Sequence, residues 1–403
     1  MEIINDISIK NFKGIEEMDF PCGSINIIVG PNNTGKSSIL QSIWLAITSL
    51  NDFTDVMDNE ISEIVVDEFN FKYLINQGKE TSSIQLNLFN DDEINLDIIY
   101  SKKNKYYPEL SNYFSNFISD LSYLKSEFPL NQGLSYRVFR ELQKTNRSLK
   151  SDESKEKLDN ILNEISLQMD SEIKKIGNEL LDSEKLFIRS KLNNDLISMC
   201  AIADDFNENI YQSEEEIPII DIPLIISSPH LGDNTHLLYE KLFNTKKLSH
   251  VLGNLKNKIS YFEDIGIIDD EIRVSLTDND QTLPLSSMGD GFKGLLKLSF
   301  MAPLIKHGIV LFEEPENSMH PGYFEILAKE IVSNSHDSQF FITTHSLEFL
   351  EYLLEKSEKL GVIDSVKILR LTRRAGNFID REVYSGIDAK KDIEDIKIDL
   401  RGY

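Results

Sequence analysis

The 403-residue sequence has only two cysteines, Cys22 and Cys200, and they form no CxxC pair. This scarcity excludes a disulfide framework and argues against a zinc site built on paired thiols. No apolar run approaches the roughly 18–20 residues that span a bilayer. The first residues also lack the basic and apolar regions of a secretory signal. We therefore expect the chain to work in a reducing compartment, the cytoplasm.

Basic residues are also scarce, because 42 Lys and Arg stand against 67 Asp and Glu, a formal net charge of −25. A surface of that sign repels polyphosphate, which argues against a chain-wide nucleic-acid footprint. One local basic stretch contains Arg137, Arg140, Lys144, Arg147 and Lys150. Both a solvated helix face and a nucleic-acid contact fit this stretch.

Apolar patterning divides the chain into three regions. In residues 1–108, strands and a helix flank a glycine-containing loop, and short alternating runs predict an antiparallel meander. In residues 109–209, an apolar stripe from Leu158 to Leu180 predicts a helical insertion, either packed on itself or extended as a short coiled coil. In residues 210–403, apolar strands alternate with helices. This alternation predicts an α/β fold with a largely parallel sheet covered on both faces.

The third region gives the most detailed prediction of secondary structure. Its predicted elements are a strand at 217–227, a helix at 235–257, a strand and turn at 272–285, a helix at 292–306, strands at 308–312 and 339–343, helices at 323–333 and 347–355, and a hairpin over 366–371 and 380–384.

The strongest chemical signal is a loop that fits G-x-x-x-x-G-K-[ST] between an apolar strand and an amphipathic helix: Gly30, Pro31, Asn32, Asn33, Thr34, Gly35, Lys36 and Ser37. Glycines in such a loop let backbone N–H groups turn around a phosphate, and the helix adds its positive dipole end. Lys36 would reach the β- and γ-phosphates, and the Ser37 hydroxyl would ligate Mg²⁺. We include Ser38 in this predicted nucleotide site.

A second motif places two carboxylates at the end of a buried strand. The apolar run 308–312 is followed by Glu313 and Glu314. In open α/β sheets this carboxyl edge is where ligands bind. Glu313 can hold the magnesium shell, and Glu314 can orient or deprotonate an attacking water. Taken alone, an acidic surface turn is the alternative.

Two weaker motifs complete the set. The strand 339–343 is followed by His345, which either satisfies a backbone carbonyl or senses a phosphate. A loop that opens a helix contains Ser286, Ser287, Gly289 and Gly291, and it is either an anion site or an ordinary loop.

Taken together and in this order, the four motifs resemble the Walker A, signature, Walker B and switch-histidine segments of ABC-type ATPases. The group concerned includes the structural-maintenance-of-chromosomes, RecF and OLD-family proteins. Within it, the chain most resembles the bacterial OLD-like class, many of whose members belong to anti-phage defence systems. The resemblance covers roughly residues 1–100 and 217–403.

The resemblance implies an ABC-type P-loop NTPase domain with an antiparallel β-lobe, split by the insertion, and ATP and Mg²⁺ as cofactors. It implies that Lys13 approaches the nucleotide, and that Glu314, His345 and Lys36 form the catalytic set. It also implies a head-to-tail homodimer, open to further assembly, in which Ser287, Gly289 and Gly291 complete the ATP site of the other subunit.

The sequence departs from the family pattern in three places. Glu313 stands where the family normally has Asp, which bears on metal affinity and rate. The signature serine aligns with either Ser286 or Ser287, and we favour Ser287. The segment after the strand 217–226 has no Q-loop glutamine. Because no TOPRIM domain follows the ATPase core, we expect any nuclease to be a separate polypeptide.

Three functions fit these observations. The first is a defence ATPase that scaffolds or restrains a separately encoded effector, a nuclease or another toxic protein. The second is a DNA-repair or DNA-clamping ATPase of RecF type. The third is a scaffold that binds ATP structurally and barely hydrolyses it.

Overall fold

The computed structural model describes residues 2–50, 73–101, 185–203, 206–212, 222–227, 235–269, 271–374 and 379–396. Within these ranges the chain forms three sheets and seven α-helices. The predicted α/β class, with a mostly parallel sheet and an antiparallel β-lobe, is confirmed.

The β-lobe is an antiparallel sheet of seven described strands in the order β2-β1-β4-β5-β6-β7-β8. Their bounds are β1 Ile4–Phe12, β2 Ile15–Pro21, β4 Thr81–Leu88, β5 Glu93–Ser101, β6 Lys185–Leu192, β7 Asp195–Ala203 and β8 Phe206–Gln212. The antiparallel pairing of β4 with β5 confirms the predicted meander.

The predicted helical insertion over 109–209 is wrong at its C-terminal end, where the chain forms strands. β6 pairs with β5 from Ser101↔Lys185 to Ile94↔Leu192, and β7 and β8 extend the sheet. Leu186 and Ile188 belong to one core on the same face of β6, as the two-residue period of a strand requires, and Phe187 between them is buried as well. The apolar stripe 158–180 and the basic stretch 137–150 lie outside the described residues.

The second sheet is built from six described strands in the order β16-β15-β3-β14-β13-β9. Their bounds are β3 Ile25–Val29, β9 Leu224–Ser227, β13 Ile309–Glu313, β14 Gln339–Thr344, β15 Val366–Arg373 and β16 Ile379–Ser385. All neighbours are parallel except β15 and β16. This antiparallel pair confirms the predicted closing hairpin.

A smaller antiparallel sheet lies beside the helices. Its strands are β10 Phe262–Ile268, β11 Glu271–Leu276 and β12 Leu283–Pro284. It leads through a short 3₁₀ turn, Leu285–Ser287, into the next helix of the chain.

The described helices are α1 Lys36–Thr48, α2 Thr235–Asn244, α3 Leu248–Lys256, α4 Asp290–Met301, α5 Pro321–Asn334, α6 Leu347–Lys359 and α7 Gly386–Ile396. None of them has the length and apolar character of a membrane span. The single helix predicted over 235–257 is wrong, because Lys246 adopts a left-handed φ of 59°. The Lys247 amide then closes the turn on the Leu242 carbonyl.

The parallel strands divide their side chains between two cores. In β13, Ile309 and Leu311 face the β-lobe, whereas Val310 and Phe312 face the helices. Because both faces are covered, these strands are continuously apolar rather than alternating. Helix α1 lies in the first core, with Ile39, Leu40, Ile43 and Trp44 all buried.

The buried side chain of Gln339 joins the two large sheets. Its Oε1 accepts hydrogen bonds from the amides of Ile3 and Ile4 at 3.2 and 2.8 Å. Its Nε2 donates to the carbonyls of Ile4 and Gly23, both at 2.8 Å. Since Gln339 begins β14, these bonds fix the start of β1 against the start of the central parallel strand.

We expect Gln339→Leu to lower the free energy of unfolding by at least about 2 kcal/mol, because four buried backbone groups would lose their partner. Urea unfolding followed by circular dichroism measures this change. Gln281→Leu is the matched control, since Gln281 is exposed and its replacement should change stability by no more than about 0.5 kcal/mol. Equal effects of the two substitutions would show that the Gln339 bonds do not stabilise the joint.

Candidate nucleotide site

Three loops meet at the carboxyl edge of the parallel sheet. Residue 343 on β14 pairs with Ile28 of β3 on one side and with Glu313 of β13 on the other. The glycine loop leaves β3, the two glutamates follow β13, and His345 follows β14. The sheet therefore brings three of the predicted motifs side by side.

The loop after β3 has the backbone of a phosphate-binding turn. Gly30 and Gly35 have φ values of 152° and 87°. A Cβ at Gly30 would lie 2.5 Å from the Leu371 carbonyl oxygen, so both conformation and space require glycine there. Thr34 is buried and its hydroxyl donates to the Pro31 carbonyl at 2.8 Å.

The outer turn of this loop is open to solvent. Asn32 and Asn33 are exposed, while Ser37 and Ser38 in the first turn of α1 are half-buried. Arg373, at the end of β15, donates to the Asn33 carbonyl at 3.3 Å. Sequence reasoning did not single out Arg373, because its partner in the glycine loop lies 340 positions away in the chain.

Lys36 is the buried cation of the loop, with 5% of its surface exposed. Its Nζ donates to the carbonyls of Gly30 and Pro31, both at 3.0 Å. Burial lowers the pKa of Lys36, and the nearby carboxylates of Glu314, Glu313 and Glu316 raise it in part. The cation is thus held across the loop among three acidic groups.

The chain turns sharply after β13. Glu313 ends the strand, and Glu314 adopts a left-handed φ of 45°, which is unusual for a residue with a Cβ. The Glu314 amide donates to both the carbonyl and the hydroxyl oxygen of Thr343 at 3.1 Å. Strained backbone of this kind persists where neighbouring contacts determine it, often at functional sites.

Both oxygens of the Glu314 carboxylate have partners. Oε1 lies 3.1 Å from Nε2 of His345, and Oε2 accepts a hydrogen bond from the Asn317 side chain at 2.8 Å. The predicted catalytic glutamate and the predicted switch histidine are therefore in direct contact. Their side chains are 27% and 24% exposed, so ligand can still reach them.

Glu316 is a buried acid that sequence reasoning missed, with 7% of its surface exposed. Its Oε1 accepts hydrogen bonds from the Thr344 hydroxyl at 2.5 Å and from the amides of His345 and Ser346 at 2.9 and 3.2 Å. Burial raises the pKa of Glu316, against the lowering effect of these bonds. The only signal in the sequence was its position directly after Glu313-Glu314-Pro315.

Lys13 lies near the same edge. It has a left-handed φ of 50°, and its Nζ donates to the Gln41 side chain on α1. Burial lowers the pKa of Lys13 to about 8, although the charge of Glu313 opposes this shift. The resemblance predicted that Lys13 approaches the nucleotide, and the structure brings it close enough to Glu313 for their charges to interact.

The signature loop is a surface feature at the start of α4. Ser286, Ser287 and Gly289 are exposed. Gly291 instead lies against the segment after the glutamates, because a Cβ there would be 2.5 Å from the Ser318 carbonyl oxygen. Close backbone contact is therefore sufficient reason for a glycine at Gly291.

The residues present fit a nucleotide with its metal. The left-handed glycines let the loop turn around the buried Lys36, whose ammonium group supplies a positive charge for a phosphate. Across the described part of the chain, no three acidic, histidine or cysteine side chains cluster as metal ligands. Ser37 supplies one hydroxyl and Glu313 one carboxylate. These two oxygen donors suit a Mg²⁺ ion that also binds phosphate oxygens.

The fold and the site define a P-loop ATPase. The profile of the family described as AAA ATPase domain matches residues 1–350, so the chain belongs to that family. The Helicobacter pylori protein named ATP/GTP phosphatase is 24% identical over 405 residues, which cover 95% of this chain and 96% of that protein.

Two further relatives are named as a retron ATPase and as a nuclease. The retron Vc95 probable ATPase of Vibrio cholerae is 20% identical over 415 residues, 90% of this chain and 74% of that protein. The OLD nuclease of Thermus scotoductus is 40% identical over 45 residues, 11% of this chain and 8% of that protein. The ATPase inferred from the four motifs is confirmed by the family match, and the inferred likeness to OLD-family proteins is found over a short segment.

We expect Lys36→Ala to weaken binding of Mg²⁺–ATP by about tenfold to a hundredfold, since a charge-assisted hydrogen bond to phosphate is lost. Calorimetric titration measures the affinity directly. Lys79→Ala, which removes an exposed lysine in the turn before β4, is the control and should leave affinity unchanged. Unchanged affinity in Lys36→Ala would refute the assignment of the glycine loop.

Proposed function

We propose that this ATPase acts in the cytoplasm as a nucleotide-gated sensor or scaffold of an anti-phage defence system. In this proposal it controls a separately encoded effector, a nuclease or another toxic protein. Support comes from the similarity to the retron Vc95 probable ATPase over 90% of the chain. The shorter similarity to an OLD nuclease points in the same direction.

In the proposed reaction, each side chain of the edge has one task. Lys36 and the loop amides hold the phosphates, and His345 contacts the γ-phosphate. Glu314 takes a proton from the water that attacks the γ-phosphorus, and ADP leaves as the bond between this phosphorus and the bridging oxygen breaks. Ser37 and Glu313 would hold Mg²⁺. Bound there, Mg²⁺ would neutralise part of the phosphate charge.

The observation that carries the proposal is the 3.1 Å contact between Glu314 and His345 beside Lys36. A base and a phosphate-sensing group in direct contact can respond together to the γ-phosphate. Since His345 and Asn317 occupy both oxygens of Glu314, the base becomes available when these contacts rearrange. Binding or hydrolysis of ATP would thus change the position of the loops after β13 and β14.

The second part of the proposal is a head-to-tail homodimer. Ser287 and Gly289 lie on the surface at the start of α4, where a second copy can reach them. A pair with two-fold symmetry would use this surface twice, once for each ATP. Hydrolysis would then loosen the pair and release or activate the effector.

We expect Glu314→Gln to slow ATP turnover by about 10²–10⁴-fold, because the base is lost while shape is kept. ATP should still bind and hold the pair together, so the variant should elute earlier in size-exclusion chromatography when ATP is present. Normal turnover in this variant would show that Glu314 is not the base.

Three further substitutions sharpen this experiment. Adding Ser287→Arg to Glu314→Gln should abolish the early elution without removing ATP binding, because the signature acts across the interface. If Ser286 is the contact instead, Ser286→Arg should show the larger defect.

Glu313→Asp should retain or raise turnover. An inactive Glu313→Asp beside an active Glu314→Gln would shift the assignment of the two acids by one residue.

A further inference from the structure

Glu316 has no role in the functions proposed so far, yet its surroundings are the most constrained of the acids at this edge. It lies in the turn after β13, and its three hydrogen-bond donors belong to the last residue of β14 and to the two residues that follow it. A carboxylate is costly to bury unless hydrogen bonds or opposite charges compensate it. The compensation here comes from Thr344, His345 and Ser346, and from the nearby charge of Lys36.

The bonds hold the junction between β14 and α6. Ser346 is the N-cap of α6, and its hydroxyl accepts a hydrogen bond from the Phe349 amide at 3.1 Å. The His345 and Ser346 amides lie just before this helix, and they point to the same oxygen of Glu316. Glu316 therefore fixes the backbone on both sides of the His345 Cα.

The same turn carries Glu314. The segment 314–316 thus makes two contacts with 344–346, one through the Glu314 carboxylate to the His345 ring and one through Glu316 to the His345 backbone. Two contacts of this kind define both the position and the direction of the imidazole. A single side-chain contact would leave the ring free to swing with its backbone.

We propose that Glu316 is a positioning residue of the ATPase centre, whose buried carboxylate holds the 344–346 backbone so that His345 meets Glu314 and the γ-phosphate. The inference rests on the roles proposed above for Glu314 and His345. Glu316 touches neither the phosphates nor the attacking water in this scheme, and it acts only through His345.

The acceptor oxygen matters more than the charge. One oxygen of Glu316 takes all three hydrogen bonds, and the other, within the described residues, has no hydrogen-bond partner. Glutamine offers the same acceptor at the same distance from the backbone. Alanine removes it, and aspartate withdraws it by one methylene.

The experiment compares Glu316→Gln, Glu316→Ala and Glu316→Asp in steady-state ATP hydrolysis. We expect the alanine and aspartate variants to lose about tenfold to a hundredfold in kcat, the scale of a small misplacement of a catalytic group. The KM for ATP and the calorimetric affinity should stay within twofold. Glu316→Gln should keep kcat within about fivefold of the native chain.

The decisive measurement repeats Glu316→Ala in a His345→Ala background. If Glu316 acts through His345, the second substitution should cost no further activity there, because the group that it positions is already absent. A loss that is as large in this background as in the native chain would overturn the proposal. Full activity of Glu316→Ala, or a Glu316→Gln as slow as Glu316→Ala, would also overturn it.

Two controls distinguish a failure of this inference from a failure of the proposed function. Glu330→Gln makes the same chemical change at a partly buried acid on α5, whose charge neighbours are Lys329 and His250, and it should leave kcat unchanged. His345→Ala alone tests the proposed function. Normal turnover of His345→Ala would refute the role of the histidine, whereas a slow His345→Ala with a normal Glu316→Ala would refute only the inference about Glu316.

Discussion

The parallel pairing of β14 with β3 on one side and β13 on the other is the constraint on which the site depends. All six residues of β14 are buried, so the strand cannot shift its register without exposing apolar side chains or unpairing its backbone. Each of the three strands ends in a loop that carries one chemical motif. The register therefore sets the distances between the phosphate loop, the acids and the histidine, and the Gln339 bonds hold β14 against the β-lobe.

The charges at this edge of the sheet bear on which form of a nucleotide can bind there. Three carboxylates surround the buried Lys36 in a chain with a net charge of −25. Left without metal, such a group of acids would repel the phosphates of a nucleotide. In the proposed function the same acids would attract a divalent cation, so the site would favour a nucleotide that carries Mg²⁺. A buried carboxylate that backbone amides hold also keeps its position when a charged nucleotide binds. The loops at this edge can therefore move together.

Local motifs could be predicted from the sequence, and long-range partners could not. The glycine loop and the Glu313-Glu314 pair were identifiable because their chemistry is determined by neighbouring residues and by the strand before them. Glu316 was not predicted as a site residue, because its hydrogen-bond partners lie 28 to 30 positions away in the sequence. A short acidic motif also does not show which of its residues is buried. The strand β6 was predicted to be helical because its pairing partner β5 is distant in sequence, and because Leu186, Phe187 and Ile188 are consecutive apolar residues without the alternation of a half-buried strand. Gly291 matched the signature pattern, but its close contact with Ser318 depends on the tertiary fold.

The central claim is that one nucleotide binds the three loop segments together, with the signature surface of a second copy. Amide hydrogen–deuterium exchange, measured with and without Mg²⁺ and a non-hydrolysable ATP analogue, tests it most directly. We expect residues 30–38, 313–317 and 343–346 to gain protection together at the same analogue concentration. Residues 285–291 should gain protection only at protein concentrations where the pair forms. Protection confined to 30–38, with the other segments unchanged, would contradict the account.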